Sequence, residues 1–243
     1  MHGFLHGKVA ANPSFRQSAT NLHHILRFLH NSIISISWAD ASRSNELSGP
    51  LLSELQNGPV QSIGQSMILP TRTVYFITHP DVLIDPAVPV PDWPLSPRGR
   101  SRMTSALALS WMHSVRAVWC STERKARDGA EILASHLGFA VAELAELGEN
   151  DRSATGYLPR AEFEAVADLF FARPNESVRG WERAVDAQRR IIEGVDRVLA
   201  ATAGCRGDIA IVGHGGVGTL LFCHLRGGAR RPIAAKTYVK AGL

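Results

Sequence analysis

The stretch DIAIVGHGGVGTLL, residues 208–221, joins a short apolar run to a histidine surrounded by glycines. A short apolar run bounded by turn residues is typical of a strand that is buried on both faces of a sheet. The first six residues therefore predict a strand over 208–213, and the glycines that follow predict a turn into a helix. This pattern places His214 directly after the end of a buried strand.

The same kind of apolar run occurs at three other places. It predicts the strands TVYFIT at 73–78, VRAVWC at 115–120 and FAVAEL at 139–144. Amphipathic helices are predicted at 97 to about 113, 123–137 and about 178–202. Strands that alternate with helices indicate an α/β fold, a three-layer α/β/α sandwich around a largely parallel central sheet. Ligands of such sheets bind at the carboxyl ends of the strands, and His79 follows the end of the first of these strands.

The composition excludes several classes of protein. The chain has 243 residues, of which 45% are apolar, enough for one domain or for one domain with an appendage. The formal net charge is only +4 and the charges are scattered, so nucleic acid is not an expected partner. No segment has the roughly 20 uninterrupted apolar residues of a membrane span, so no membrane association is expected.

The three cysteines are Cys120, Cys205 and Cys223. They are odd in number, far apart and without the spacing of metal ligands, so neither a disulfide framework nor a zinc site is expected. A reducing, cytoplasmic setting is the expectation that follows.

Residues 1–66 differ in composition from the rest of the chain. They are rich in Ser, Asn and His, and no acidic residue occurs before Asp40. Two interpretations stay open: a poorly ordered N-terminal extension, or a misassigned start, with the natural start at Met67 just before the first predicted strand. Either interpretation leaves residues 67–243 as the predicted domain.

The glycines around His214 fit two nucleotide-binding patterns in part. Gly213, Gly215 and Gly218 match G-x-G-x-x-G, but too little chain follows for the rest of a βαβ unit, and no acidic residue follows to hold a ribose. A phosphate-binding P-loop would need a lysine where Gly218 stands. What remains is a helix start with free backbone N–H groups beside a histidine, which is a candidate anion site.

Five short motifs carry a resemblance to a known family. They are THP at 78–80, PLSPRG at 94–99, STERKA at 121–126, Glu149 in LGEND and VGHGGV at 212–217. From Met67 to about Gly227, their order and spacing resemble the histidine phosphatase superfamily, also called phosphoglycerate mutase-like. That family has Arg-His-Gly, Pro-Leu-Thr-x-x-Gly and Ser-x-x-x-Arg-Ala at the first three places. Thr78 and Pro80 therefore stand where the family has arginine and glycine, and Lys125 stands where it has arginine.

The resemblance implies roles for the site residues. His79 would attack the phosphorus of a phosphomonoester and become transiently phosphorylated. Glu149, with Asp151 as the alternative acid, would protonate the departing oxygen through a raised pKa and then help to deprotonate water. The residues that would hold the phosphoryl oxygens are His214, Thr78, Lys125, Arg124 and Gly215, with Arg124 as the alternative to Lys125. This scheme needs no metal and no cofactor.

The first motif departs most from the family pattern. Thr78 offers one neutral hydroxyl where an arginine would clamp phosphate with two parallel hydrogen bonds, and Pro80 removes a backbone N–H. These changes leave three functions open. The leading one is a metal-independent phosphatase that acts on a phosphomonoester or phosphohistidine, in a small-molecule phosphate ester or a phosphoprotein. The second is a catalytically weakened or inactive member that binds a phosphate ligand as a regulatory module.

A phosphomutase is the third and least favoured function. A mutase must keep its substrate while the phosphoryl group returns, and the segment 145–180 lacks an obvious long lid.

Overall fold

A six-stranded sheet runs through the part of the chain that the computed structural model describes, which is residues 32–39, 71–227 and 235–239. In chain order its strands are β1 (Ser32–Ala39), β2 (Thr71–Thr78), β3 (Val115–Cys120), β4 (Val141–Glu143), β5 (Asp208–Gly213) and β6 (Ala235–Val239). Across the sheet the order is β4-β3-β5-β2-β1-β6. The sheet therefore carries β2 and β5 side by side near its centre.

Four neighbouring strands, β4, β3, β5 and β2, run parallel to one another. Beyond β2, β1 is antiparallel to β2, and β6 is antiparallel to β1. Parallel neighbours need crossover connections, which helices supply in this fold. The predicted three-layer sandwich with a largely parallel sheet is confirmed.

Two of the four predicted strands, β3 and β5, have the predicted bounds. β2 starts earlier than predicted, at Thr71, because Thr71 and Arg72 pair with the end of β1. β4 is shorter than predicted, because only Val141–Glu143 pair with β3 at this edge of the sheet. The apolar runs thus locate the strands, and pairing decides where each strand ends.

The described residues contain five α-helices. They are α1 (Pro97–Ser105), α2 (Arg124–Leu137), α3 (Arg160–Ala172), α4 (Ala184–Ala201) and α5 (Gly215–Gly227). None of them is long and apolar enough to span a membrane. The predicted cap of α1 is present, since the Ser96 hydroxyl accepts a hydrogen bond of 3.0 Å from the Gly99 N–H.

Two predicted helices are shorter in the structure. α1 ends at Ser105 because the chain continues in two short 3₁₀ turns, which an extended Leu109 separates. α4 begins at Ala184 because Arg179 and Gly180 have positive φ values of 52° and 81°, which a right-handed helix does not admit, and Trp181 and Arg183 are extended. No helix is predicted at α3, which buries Val166, Phe170 and Phe171.

Alternate residues of a strand point to opposite faces of the sheet. In β2, Val74 and Phe76 belong to an apolar cluster with side chains of α3, α4 and α5. Tyr75 and Ile77 belong to a second cluster with side chains of α1 and α2. Helices therefore cover both faces of the sheet, and this packing fixes the carboxyl ends of β2 and β5.

Most of the predicted N-terminal extension, residues 1–31 and 40–66, lies outside the described residues. Its described part, Ser32–Ala39, is β1, which pairs along β2 from Ile33 opposite Ile77 to Ala39 opposite Thr71. No strand is predicted there. The domain boundary at residue 67 stays a prediction.

Candidate active site

The two histidines of the predicted site leave the sheet side by side. β2 and β5 are parallel neighbours, and Thr78, the last residue of β2, is paired with Gly213, the last residue of β5. The next residues are His79 and His214, whose ring centroids lie 5.1 Å apart with an angle of 70° between the ring planes. The His79 N–H donates to the Gly213 carbonyl over 3.0 Å, which locks the two strand ends together.

His79 is held in one tautomer by its neighbour in sequence. Its Nδ1 lies 2.9 Å from the Pro80 carbonyl oxygen. A carbonyl oxygen only accepts hydrogen bonds, so Nδ1 carries the proton and Nε2 keeps a free lone pair. Burial and the nearby His214 lower the pKa of His79 well below its ordinary value, against the opposing effect of the Pro80 bond. His79 is therefore a neutral imidazole with an unprotonated Nε2 at neutral pH.

Helix α1 braces the loop that carries His79. The Ser96 N–H donates to the Asp81 carbonyl over 2.9 Å, and the Arg102 guanidinium pairs with the Asp81 carboxylate at 2.9 Å. A Cβ on Gly99 would stand 2.1 Å from the Asp81 carbonyl oxygen, so the close approach of α1 to this loop requires glycine at 99. Thr78, where the family has arginine, is buried at the end of β2.

His214 is fully buried. Its Nε2 lies 2.6 Å from the Ser121 hydroxyl oxygen and 3.3 Å from a carboxylate oxygen of Glu123. Burial lowers the pKa of His214, although Glu123 oppositely favours its charged form. Its Nδ1 is also buried and has no hydrogen-bond partner among the described residues. An unpartnered buried nitrogen costs free energy, so a ligand atom that bonds to Nδ1 would recover that cost.

Glu123 is a site residue that is not predicted from the sequence. Its carboxylate accepts from the Lys125 ammonium at 2.5 Å and from the Glu149 N–H at 2.7 Å, and it also lies beside His214. Burial alone raises the pKa of Glu123, but His214, Lys125 and these hydrogen bonds outweigh it and lower the pKa to about 2. Glu123 is therefore ionised. The available signal was its place in STERKA, between Ser121 and two basic residues.

The structure brings Lys125 to the site but not as a free cation. Its side chain is only 3% exposed, and its ammonium also donates to the Val90 carbonyl over 2.8 Å. Arg124 pairs instead with Asp128 at 2.9 Å, and its side chain is 58% exposed. Of the two basic residues considered for the phosphate, only Lys125 therefore lies against the residues around His214.

The Glu149 side chain caps the N-terminal end of α5 from another loop. Its two carboxylate oxygens accept from the N–H groups of Gly216, at 3.1 Å, and Val217, at 3.0 Å. The sequence predicts free N–H groups here, and this prediction is wrong, because a carboxylate from a distant loop already accepts hydrogen bonds from two of them. A Cβ on Gly215 would meet no atom within 4 Å, so the space beside the first residue of α5 is open. Asp151, the alternative acid, is exposed and accepts from the Ser153 N–H.

Four of the predicted site residues, His79, His214, Glu149 and Lys125, thus lie in one cluster, to which the structure adds Ser121 and Glu123. The cluster contains two neutral imidazoles, one buried ion pair and one further carboxylate. Such a set can offer a nucleophilic nitrogen, hydrogen-bond donors for an oxyanion and a group that exchanges protons. No group of three or more His, Cys, Asp or Glu side chains among the described residues is arranged to hold a metal ion.

Comparisons with known proteins identify a family. The model of the histidine phosphatase superfamily (branch 1) matches residues 87–235, which include Lys125, Glu149 and His214 but begin after His79. No curated protein matches the chain.

Solved structures are similar in fold. A structure described as mycobacterial hydrolase 2 is 21% identical, with a TM-score of 0.53, over 62% of this chain and 70% of that chain. A mycobacterial glucosyl-3-phosphoglycerate phosphatase is also 21% identical, with a TM-score of 0.53, over 62% of this chain and 77% of that chain. YhfR of Bacillus stearothermophilus is 19% identical, with a TM-score of 0.50, over 70% of this chain and 92% of that chain. At such identities the similarity concerns the fold, whereas the family match covers more than half of the chain. The chain belongs to the histidine phosphatase superfamily, branch 1.

Proposed function

We propose that this protein is a metal-independent phosphatase that uses His79 as its nucleophile. The observation that carries this proposal is the hydrogen bond between His79 Nδ1 and the Pro80 carbonyl. It leaves Nε2 with a free lone pair at the carboxyl edge of the sheet, next to the ring of His214. A neutral imidazole nitrogen held in this way is a competent nucleophile towards phosphorus.

The reaction would proceed in two steps. In the first, a bond forms between His79 Nε2 and phosphorus while the ester P–O bond breaks, and the leaving oxygen takes a proton from Glu149. In the second, water attacks phosphorus, Glu149 takes a proton from that water, and the N–P bond breaks to release inorganic phosphate. His214 and Lys125 would bond to the phosphoryl oxygens as charge develops on them. The substrate class is a phosphomonoester or phosphohistidine, in a small molecule or a phosphoprotein.

One observation favours a second candidate, a weakened or inactive member that binds a phosphate ligand. One carboxylate oxygen of Glu123 already accepts a hydrogen bond from the Lys125 ammonium at 2.5 Å, and the other lies 3.3 Å from His214 Nε2. These are two of the groups that the phosphatase needs for its substrate. Together with threonine at position 78, this arrangement reduces the positive charge available to a phosphoryl group.

The experiment that separates the two candidates is hydrolysis of p-nitrophenyl phosphate by the full chain in the presence of EDTA. His79→Ala is expected to abolish turnover, while His136→Ala, which removes an exposed histidine of α2, leaves it unchanged. Thr78→Arg is expected to raise turnover by restoring an arginine clamp, up to roughly 10²-fold. Protein quenched in alkaline denaturant, in which a phosphohistidine survives, should contain acid-labile phosphate only when His79 is present.

Two results would change the conclusion. If the wild type is inactive and the Thr78→Arg variant is active, the second candidate, a member that binds a phosphate ligand without turnover, is favoured. Turnover that survives His79→Ala would contradict both the nucleophile and the proposed mechanism.

A further inference from the structure

Arg190 of α4 holds the loop that carries Glu149. Its guanidinium donates to three backbone carbonyls of that loop: Glu146 at 3.0 Å, Gly148 at 2.9 Å and Glu149 at 3.0 Å. The Arg190 side chain is only 26% exposed. Glu146 lies in the short 3₁₀ turn Ala145–Leu147, and Gly148 and Glu149 follow it, so these carbonyls must find donors outside an α-helix or a strand.

Glu182 completes this support from the other side of Glu149. It accepts from Arg190 at 3.1 and 2.7 Å, which orients the guanidinium. It also exchanges two hydrogen bonds with Asp151, because the Asp151 N–H donates to its carboxylate over 3.1 Å and its own N–H donates to the Asp151 carbonyl over 2.9 Å. The Arg190–Glu182 pair therefore holds the chain both before and after Glu149.

The Arg190–Glu182 pair holds the backbone from which the Glu149 side chain extends. The side chain of Glu149 must reach the N–H groups of Gly216 and Val217 at the start of α5, next to His214. Whether the carboxylate reaches these N–H groups depends on the position of the Glu149 backbone. A planar guanidinium can bond to several carbonyls and a carboxylate at once, which an ammonium group cannot do in the same fixed geometry.

We propose that Arg190, oriented by Glu182, is a positioning residue that keeps the Glu149 carboxylate at the start of α5 and thereby sets proton transfer to the leaving group and from water. This inference rests on the proposed phosphatase function. It adds a residue on α4 that touches neither the substrate nor the reacting atoms.

The first test compares two substrates with different leaving groups. An alkyl phosphate needs its leaving oxygen protonated, whereas a nitrophenyl phosphate does not. Arg190→Met is expected to lower kcat/KM for the alkyl phosphate by roughly 10²-fold, the lower range for loss of general acid catalysis, and to change it far less for nitrophenyl phosphate. Arg190→Lys is expected not to restore the loss. Arg189→Met is the matched control, because Arg189 is 69% exposed and pairs with Asp186.

The second test needs no turnover. The amide resonances of Gly216 and Val217 in ¹⁵N–¹H NMR spectra report their hydrogen bonds to Glu149. Both are expected to shift in Arg190→Met and to stay in place in Arg189→Met. If wild type lacks phosphatase activity, the proposed function fails, and these two resonances still decide on the positioning role.

Two outcomes would overturn the inference: unchanged Gly216 and Val217 resonances in Arg190→Met, or an equal loss of kcat/KM for both substrates. If circular dichroism shows that Arg190→Met is unfolded, Arg190→Lys and Glu182→Gln are measured with the same two readouts and judged by the same outcomes.

Discussion

At the scale of single residues, Glu123 decides how much positive charge the site can offer. Glu123→Gln keeps the shape of the side chain but removes the charge that pairs with Lys125 at 2.5 Å. Inorganic phosphate or orthovanadate is then expected to bind roughly tenfold more tightly, since removing a like charge from a partly buried site is worth more than about 1 kcal/mol. The measurement is the dissociation constant of either anion by isothermal titration calorimetry.

Glu131→Gln serves as the control, because Glu131 is an exposed acid of α2 and its removal makes the same change in net charge. Equal effects of the two substitutions would show that the Lys125 ammonium does not face the bound anion.

At the same scale, the direction of the side chain decides which of two basic residues lies at the site. Arg124 and Lys125 are adjacent in sequence, and both were candidates for the phosphate. On a helix, consecutive residues point about 100° apart, so only one of them can face the strand ends. Packing of α2 turns Lys125 inward and leaves Arg124 exposed, paired with the buried carboxylate of Asp128.

At the scale of elements, the close approach of α1 to the loop that carries His79 can be tested by a substitution at Gly99. In Gly99→Ala the added Cβ would stand 2.1 Å from the Asp81 carbonyl oxygen, so α1 or the loop must move. Such overpacking against backbone is expected to cost about 1–3 kcal/mol in the free energy of unfolding. Urea denaturation followed by circular dichroism measures this cost.

Gly204→Ala is the matched control, since a Cβ there would meet no atom within 4 Å. An equal urea midpoint for the two variants would contradict the close approach of α1 to Asp81.

At the scale of the whole molecule, the site makes stability depend on pH. Burial lowers the pKa values of His79 and His214, so the unfolded chain takes up protons near pH 6.5 that the folded protein does not bind. The free energy of unfolding is therefore expected to fall as pH drops below about 6.5, by at most about 3 kcal/mol per pH unit for two protons. Glu123, whose pKa is lowered to about 2, stabilises the fold above its ordinary value of 4.5, and this contribution is lost as pH falls from 4.5 to 2.

Urea midpoints at pH 7.5, 6.5 and 5.5 measure this dependence. His79→Gln is expected to reduce the slope by about half, because one of the two histidines is removed. His136→Gln, which changes an exposed histidine, should keep the full slope. The same slope for all three proteins would show that His79 takes up its proton in the folded state as readily as in the unfolded chain.

The sequence by itself determined the central architecture and the meeting of the two histidines. The apolar runs of β3 and β5 have the predicted bounds, and a strand followed by histidine occurs at both His79 and His214. These features are local, because burial on both faces requires a continuous apolar run and parallel strands bring their carboxyl ends to one edge. β1 and β6 were missed, because both are antiparallel additions whose place depends on pairing.

The tertiary structure decided the electrostatics of the site. The Glu149 carboxylate reaches N–H groups 67 and 68 positions away along the chain, and Arg190 reaches the same loop from 41 to 44 positions away. Sequence periodicity records which face of an element is buried, but it does not record which distant side chain meets a given helix start. Only the packing of α4 and α5 against the sheet brings these groups together, and for this reason Arg190 was found in the structure alone.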